Sequence, residues 1–213
     1  MVSGPGLPAF IAVAGNIGVG KTTLVSRLAA ELGVPARPEV PEDNGYLARF
    51  YEDPGRWAFH TQVGFLNLAL RDYAVIAAQG GSGVVERTIE EHHDVFARQL
   101  RRDGALSGQE FDMLGEFHEL AARQLVLRPG LVIYLHADLD ELLARIDARG
   151  RESESRIEPD YLRALDQRYE EFARAWEASP LIRVDTVAND LRTGSGVEAV
   201  IEQATAVAVT RPL

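Results

Sequence analysis

The sequence predicts an α/β fold, a five-stranded parallel sheet wrapped by helices. Three observations predict it: five short apolar runs, helical patterns between them, and a glycine-rich turn directly after the first run. Strands that alternate with helices pair in parallel through right-handed crossovers, and near-continuous apolar strands have both faces of the sheet covered. The length suits a single domain, residues 1–213, with a sizeable core.

The elements follow from local patterns. Leucines at helical spacing end at Gly33, Pro54 opens a long helical pattern, acidic residues precede another, and Pro159 opens a third. Strands are predicted at residues 9–15, 36–40, 83–86, 131–137 and 181–186. Helices are predicted at residues 21–33, 54–80, 91–102, 108–127, 138–150, 159–179 and 195–209. The charged stretch 149–157 is predicted to be a mobile loop between two helices.

Composition excludes several classes of function. The net charge of −10 and pI of about 5.0 argue against a broad basic surface for nucleic acid or anionic lipid. Cysteine is absent, which excludes disulfide and thiol chemistry. The first residues carry no basic segment of a signal peptide, and no apolar run is long enough to span a bilayer. We therefore expect a cytoplasmic protein with neither a nucleic-acid nor a membrane partner.

The stretch GNIGVGKTT contains Lys21, the only lysine of the chain. Gly15, Gly20, Lys21 and Thr22 match the Walker A pattern, and they follow a strand and open a helix as that motif requires. Backbone N–H groups of such a loop bind phosphates, lysine reaches the β- and γ-phosphates, and the hydroxyl holds Mg²⁺. The predicted phosphate-binding residues are Gly15, Asn16, Ile17, Gly18, Val19, Gly20, Lys21, Thr22 and Thr23. The alternative is a glycine-rich turn with a surface lysine.

Charged residues at two further strand ends suit phosphate transfer to a hydroxyl group. Glu39 ends the second predicted strand and is the candidate base, with Glu42 and Asp43 as competitors. Glu86 and Arg87 follow the third strand, as candidate Mg²⁺ ligand and candidate cation for the acceptor oxygen or moving phosphate. Each has an alternative interpretation as an ordinary surface charge.

Three arginines cluster around the predicted loop. Arg145 and Arg149 share one helix face, and Arg151 follows them. Closure of the loop would bring their guanidinium groups onto the phosphates and exclude water. Taken alone, the cluster fits equally a solvated charge run paired with Glu152 and Glu154.

Four segments together resemble the deoxyribonucleoside kinase family, in order and at matching spacing. They are GNIGVGKTT, FYEDPGRWAFHTQ, ERT and RIDARGRESESRIEPDYL, and the resemblance covers residues 10 to about 165. It implies a P-loop kinase fold with a lid at about residues 149–157. The implied reaction transfers the γ-phosphate of ATP, with Mg²⁺, to the 5′-hydroxyl of a deoxynucleoside, in nucleotide salvage. It also implies a homodimer built on helices 59–79 and 91–125.

The resemblance assigns roles residue by residue. Glu39 matches the general base, Glu86 the metal-side acid, and Arg87 the arginine at the 5′-oxygen. Tyr51 and Glu154 match the pair that holds the sugar 3′-hydroxyl. The remaining matches are Gln62 at the base edge, Trp57 and Phe96 as aromatic pocket residues, Arg145, Arg149 and Arg151 as lid arginines, and Asn189, Asp190 and Leu191 at the ATP adenine.

The sequence departs from the family pattern near the base. The family often has arginine at position 69 and aspartate at position 92, where this chain has Ala69 and His92. That leaves Gln62 and His92, with His60 or Arg71, to recognise the base. His92 is either a donor or acceptor for the base or a packed core histidine. The family's Glu-Pro-Val is also replaced by Glu39-Val-Pro, so the local backbone is expected to differ.

Several functions stay open. Short loops resemble bacterial members that prefer deoxyadenosine or deoxyguanosine, the expected acceptors, whereas the small Ala69 would admit a thymine methyl and favour a pyrimidine nucleoside. A nucleoside-monophosphate kinase on the same fold is another alternative. A noncatalytic nucleotide-binding module is the third, and the retained Glu39, Glu86 and Arg87 argue against it.

Overall fold

The described residues, 7–124, 127–151, 154 and 157–210 of a computed structural model, form one five-stranded parallel sheet. The strand order is β2-β3-β1-β4-β5, and every adjacent pair is parallel. The strands are β1 Phe10–Gly15, β2 Ala36–Arg37, β3 Gly83–Glu86, β4 Leu131–His136 and β5 Leu181–Asp185. The predicted fold class is therefore confirmed.

Helices connect the strands and cover the sheet. They are α1 Lys21–Leu32, α2 Leu47–Glu52, α3 Pro54–Ala78, α4 Ile89–Glu91, α5 Arg98–Arg102, α6 Gly108–Gln124, α7 Leu139–Arg149, α8 Pro159–Ala175 and α9 Gly194–Thr210. A 3₁₀ turn spans Pro41–Asp43, and a π-helical segment, His92–Ala97, joins α4 to α5. Among the described residues, no helix combines the length and apolar composition that a membrane crossing requires.

The core lies on both faces of the sheet. On one face, Ile11 and Ile133 are fully buried in a cluster that includes residues of α1 and α9. On the other, Ala12 and Val132 are fully buried with residues of α3 and α8. Alternate residues of the central strands thus point into two apolar layers, which is why these strands read as continuous apolar runs.

Several predicted boundaries are wrong. The second strand ends at Arg37 rather than at residue 40, since Pro38 has no N–H with which to extend its pairing to β3. The predicted helix 91–102 begins at Ile89, where Thr88 forms a capping box, and it contains the π-helical segment. The predicted helix 108–127 is helical to Gln124, and residues 125–126 lie outside the described ones.

The fold brings the candidate residues to one edge of the sheet. Carboxyl ends of parallel strands face the same way. Strand β3 pairs with both β1 and β2. Three parts of the chain therefore lie side by side: the loop after β1, the segment after β2, and Glu86 and Arg87 at the end of β3.

Candidate active site

The glycine-rich loop connects β1 to α1 as the sequence predicts. Gly15 has φ 140° and Gly18 has φ 83°, values that L side chains rarely adopt. A Cβ at Gly15 would lie 2.5 Å from the carbonyl oxygen of Leu135, and one at Gly18 would lie 2.9 Å from Ile146 Cγ1. Both positions therefore require glycine for conformation and for space.

Lys21 is buried at the first residue of α1, only 4% exposed. Its Nζ donates to the carbonyl of Asn16 at 2.9 Å and lies 3.7 Å from Glu86 Oε1. Burial, followed by repulsion from Arg87, lowers the pKa of Lys21 to about 8, against the opposing attraction of Glu86 and Glu39. An incoming phosphate would favour the charged form of this amine.

Two side-chain oxygens meet beside the loop. Thr22 Oγ1 donates to Glu86 Oε2 at 2.8 Å, and the backbone N–H of Glu39 donates to the same oxygen at 3.3 Å. A hydroxyl and a carboxylate are oxygen ligands of the kind that Mg²⁺ accepts. Among the described residues, no cluster of three His, Cys, Asp or Glu side chains could hold a metal by itself. A Mg²⁺ ion here would therefore draw further ligands from phosphate and water.

Arg87 lies between the loop and the candidate base. Its Nε donates to Glu39 Oε2 at 2.8 Å, and its Nη1 donates to the carbonyl of Gly15 at 3.2 Å. The guanidinium carbon stands 4.7 Å from the centroid of the Phe96 ring, and the residue is 6% exposed. Glu39 thus lies at the sheet edge even though its strand ends two residues earlier.

A cavity opens from these charges towards α2, α3 and the π-helical segment. Tyr51 and Glu154 line its side near the loop 149–157. Burial, then the negative charges of Glu154 and Glu39, raise the pKa of Tyr51 to about 12. Glu154 is 8% exposed and accepts hydrogen bonds from Arg149 Nε at 3.0 Å and Nη2 at 2.6 Å. Arg151 is 3.6 Å from its other oxygen.

The far end of this cavity, which is called the acceptor cavity below, is lined by aromatic rings and by the uncharged polar residues Gln62 and His92. Gln62 is 5% exposed, and its Oε1 is buried with no hydrogen-bond partner among the described residues. The ring of His92 stacks on Phe65, with centroids 5.9 Å apart and an interplanar angle of 8°. Burial, followed by the charge of Arg87, lowers the pKa of His92 to about 3, so its imidazole is neutral. Ala69 lies in an adjoining groove that shares His92 and Phe65 with this cavity.

A second cavity lies on the other side of the loop, and Lys21 and Glu86 line both cavities. Its wall includes Arg145 and Leu191. Arg145 Nη1 donates to Thr186 Oγ1 at 2.8 Å and to the carbonyl of Val19 at 3.2 Å. This arginine therefore joins the glycine-rich loop to the segment after β5.

Most predicted site residues line one of the two cavities; Gly15, Asn16, Trp57 and Asn189 do not. Trp57 lies five residues before Gln62 on α3 and therefore projects from a different side of the helix. Its ring stacks on that of Tyr46, with centroids 5.7 Å apart. Asn189 turns back to donate from Nδ2 to the carbonyl of Asp185 at 2.9 Å, while Asp190 and Leu191 reach the second cavity.

The predicted lid, residues 149–157, lies only partly within the described residues. Arg149 is the last residue of α7, and Gly150 caps that helix with φ 60°. Residues 152–153 and 155–156 lie outside the described residues. Arg145 belongs to the middle of α7 rather than to the loop.

Sequence reasoning missed Phe50, Phe65 and Tyr161, which line the acceptor cavity. Phe65 follows Gln62 by three residues on α3, so helical spacing alone would have placed both on one face. Phe50 belongs to α2, which the sequence analysis did not anticipate, and Tyr161 belongs to α8, whose contact with this cavity is tertiary.

Comparisons with known proteins agree on one family. A family model described as deoxynucleoside kinase matches residues 11–208. The chain is 33% identical over 199 residues to a deoxyadenosine/deoxycytidine kinase of Bacillus subtilis, covering 92% of each protein. It is 34% identical over 185 residues to a deoxyguanosine kinase of the same organism, covering 85% of this chain and 86% of the relative.

A solved structure has the same fold. It is a deoxyadenosine kinase from M. mycoides with the products dCMP and a flexible dCDP bound. The TM-score is 0.77 at 23% identity, and the match covers 93% of this chain and 100% of the other. This similarity shows that the two chains share one fold.

Proposed function

This chain belongs to the deoxynucleoside kinase family and is an ATP-dependent deoxynucleoside kinase; we propose that its preferred acceptors are deoxyadenosine and deoxyguanosine. Glu39, Arg87 and Lys21 act on the reacting groups. One observation supports this assignment: all three residues line the acceptor cavity. Lys21 also lines the second cavity, in which we place the phosphates of ATP. ATP occupies the second cavity with its phosphates on the glycine-rich loop, and the acceptor occupies the first.

Glu39 takes the proton of the 5′-hydroxyl in this proposal. Its Oε2 accepts from Arg87 Nε at 2.8 Å, which fixes the orientation of the carboxylate and leaves Oε1 for the hydroxyl. Proton removal by a positioned base typically accelerates a transfer by about 100- to 10,000-fold. Arg87 lies where it can also donate to the attacking oxygen.

In this proposal, positively charged groups also stabilise the phosphoryl group during its transfer. Lys21 and the loop N–H groups bind the phosphates, while Arg145, Arg149 and Arg151 approach from α7 and the loop after it. Thr22 and Glu86 would hold Mg²⁺, which neutralises charge on the β- and γ-phosphates when bound. Arg149 and Arg151 now pair with Glu154, so they are within reach of the site.

Tyr51 and Glu154 would hold the sugar through its 3′-hydroxyl, and Gln62 would bind the base edge. The unpaired Oε1 of Gln62 supports this role, because a buried carbonyl oxygen without a donor is costly until a ligand supplies one. One Bacillus subtilis relative is named for deoxyadenosine and deoxycytidine and the other for deoxyguanosine, so two of the three named acceptors are purine nucleosides, which supports purine acceptors. A pyrimidine acceptor such as thymidine is the alternative that the small Ala69 supports.

We also propose a homodimer. Met113, Phe117 and Leu120 of α6 are 47%, 43% and 59% exposed and recur at helical spacing on one face. A second copy of the chain would cover this stripe, in the region where the sequence analysis expected a helical interface. ATP as the donor, together with the absence of cysteine, agrees with the expected cytoplasmic location.

An acceptor panel tests the proposed function. Purified protein with Mg·ATP is assayed with the four deoxynucleosides and their 5′-monophosphates, and the products are identified by mass spectrometry. We expect acceptor-dependent release of ADP and formation of a 5′-monophosphate, fastest with deoxyadenosine or deoxyguanosine. Preferential phosphorylation of a monophosphate, or ATP binding without acceptor-dependent turnover, would contradict the proposal.

The base is tested with two matched variants. Glu39→Gln keeps the shape of the side chain and should lower kcat by about 100-fold or more with little change in ATP affinity. Glu42→Gln, three residues away in the 3₁₀ turn, is the control and should leave kcat unchanged. Normal turnover by the first variant, or its loss in the second, would reassign the base.

A further inference from the structure

A buried carboxylate, that of Glu91, lies beneath the guanidinium group of Arg87. Glu91 is 0% exposed, and its Oε1 accepts from Arg87 Nη1 at 3.4 Å and from the hydroxyl of Tyr169 at 2.9 Å. Its Oε2 accepts from the backbone N–H of Thr88 at 2.7 Å, within the capping box of α4. A charge without solvent is stable only when it is fully paired, so this carboxylate depends on these partners staying in place.

Arg87 itself needs to be held in position. Its φ of 68° lies in the left-handed region, which is unfavourable for a residue with a side chain. On its other side the guanidinium contacts Glu39, whose position the reaction requires. Glu91 and Tyr169, whose hydroxyl also contacts Arg87 Nη1, fix the inner edge of the guanidinium and leave the outer edge for Glu39 and the acceptor.

The same carboxylate contacts the phosphate-binding loop. The backbone N–H of Gly15 donates to Glu91 Oε1 at 3.4 Å, and the carbonyl of Gly15 accepts from Arg87 Nη1 at 3.2 Å. The helix that carries Tyr169 also contacts the loop, because Asn16 Nδ2 donates to the carbonyl of Leu162 at 3.0 Å. One oxygen atom therefore connects the start of the donor loop to the arginine of the acceptor site.

We propose that Glu91, assisted by Tyr169, is a positioning residue for phosphoryl transfer. It acts through Arg87, by holding the guanidinium at a fixed place relative to Gly15 and Glu39. This inference rests on the proposed function, in which Arg87 acts on the acceptor oxygen. Neither Glu91 nor Tyr169 lines either cavity, so neither contacts a substrate directly.

A double-mutant cycle tests the inference with the full-length protein. Glu91→Gln keeps the shape of the side chain but replaces one carboxylate oxygen with an NH₂ donor. In one orientation of the amide this donor faces the N–H groups of Arg87 and Gly15. In the other orientation it faces the backbone N–H of Thr88. We expect kcat to fall by about tenfold or more, as for outer-shell partners of other sites, while the KM values for ATP and deoxynucleoside change less than about threefold. Arg87→Ala should lower kcat by about 100-fold or more. Because Glu91 acts through Arg87, adding Glu91→Gln to that variant should change kcat less than about twofold.

A matched control separates positioning from general damage. Glu90→Gln alters the neighbouring carboxylate. One of its oxygens is buried without a hydrogen-bond partner among the described residues, and neither oxygen is hydrogen-bonded to Arg87. It should leave kcat unchanged. Thermal unfolding is measured for every variant. If Glu91→Gln is unfolded at the assay temperature, the same double-mutant cycle is carried out with Tyr169→Phe. We expect this substitution to lower kcat by about threefold in the otherwise unaltered protein and to have no further effect on kcat in the Arg87→Ala variant.

Two kinds of failure are distinguishable. Normal turnover by Arg87→Ala would overturn the role of Arg87 in the proposed function. If Arg87→Ala lowers kcat but Glu91→Gln does not, the positioning role is overturned and the proposed function remains. The same conclusion follows if the two reductions in kcat multiply in the double variant.

Discussion

Raising the pH should discharge Lys21 and weaken nucleotide binding. The pKa of this amine is lowered to about 8, first by burial and second by Arg87. A pKa below the ordinary value means that the charged form is lost as the pH passes 8, whereas bound phosphates would retain it. If only the ammonium form binds, the apparent Kd rises by a factor of 1 plus 10 to the power (pH − pKa). That factor is about 1.1 at pH 7, about 2 at pH 8 and about 11 at pH 9.

The assay is calorimetric titration with a nonhydrolysable ATP analogue between pH 7 and pH 9 at constant ionic strength. The last ionisation of the analogue's terminal phosphate is titrated separately, so that a change in ligand charge is distinguished from the loss of charge on Lys21. Lys21→Arg is the control: its guanidinium stays charged, so its affinity should be weaker but independent of pH. A constant affinity in the unaltered protein, or an equal decline in the Lys21→Arg variant, would refute the reasoning.

Three further predictions concern the sugar, the loop and the dimer. Tyr51→Phe should lower kcat/KM for a deoxynucleoside by about 2- to 13-fold, the value of one hydrogen bond, but not for a 2′,3′-dideoxynucleoside. Gly15→Ala should lower the free energy of unfolding by about 2 kcal/mol or more, since its Cβ would meet the carbonyl oxygen of Leu135 at 2.5 Å. Gly33→Ala, with φ 64° and nothing within 4 Å, should cost only about 1–2 kcal/mol in denaturant unfolding. Phe117→Glu should halve the mass measured by light scattering, and a mass that equals one chain before the substitution would contradict the dimer.

The sheet could be predicted from the sequence largely because its three central strands, β1, β3 and β4, are buried on both faces. Such strands appear as apolar runs, and four of the five strands begin at the predicted residue. The edge strand β2 could not be bounded in the same way. It pairs on one side only, for two residues, so its end depends on Pro38 rather than on an apolar pattern.

The phosphate-binding loop could be predicted from the sequence because its residues are close together in the chain. Gly15, Gly18 and Lys21 form a motif whose loop geometry is set by neighbours in the chain. Trp57 was predicted to be an aromatic pocket residue, but it lies outside the acceptor cavity. Helix α3 carries several aromatic residues, and tertiary packing determines which of them reaches the cavity. Phe65 lines the cavity, whereas Trp57 stacks on Tyr46.

The alignment of the strands explains why distant residues of the sequence meet at the reaction centre. Val13 pairs with Glu86 in the register of β1 and β3, so Arg87 emerges level with the last residues of β1. The N–H of Arg87 donates to the carbonyl of Val13 at 2.9 Å, and from this fixed point its φ of 68° turns the side chain towards Gly15. A shift of one residue in this register would send the guanidinium to the other face of the sheet. The site therefore depends on the pairing of two core strands as much as on the charged residues that follow them.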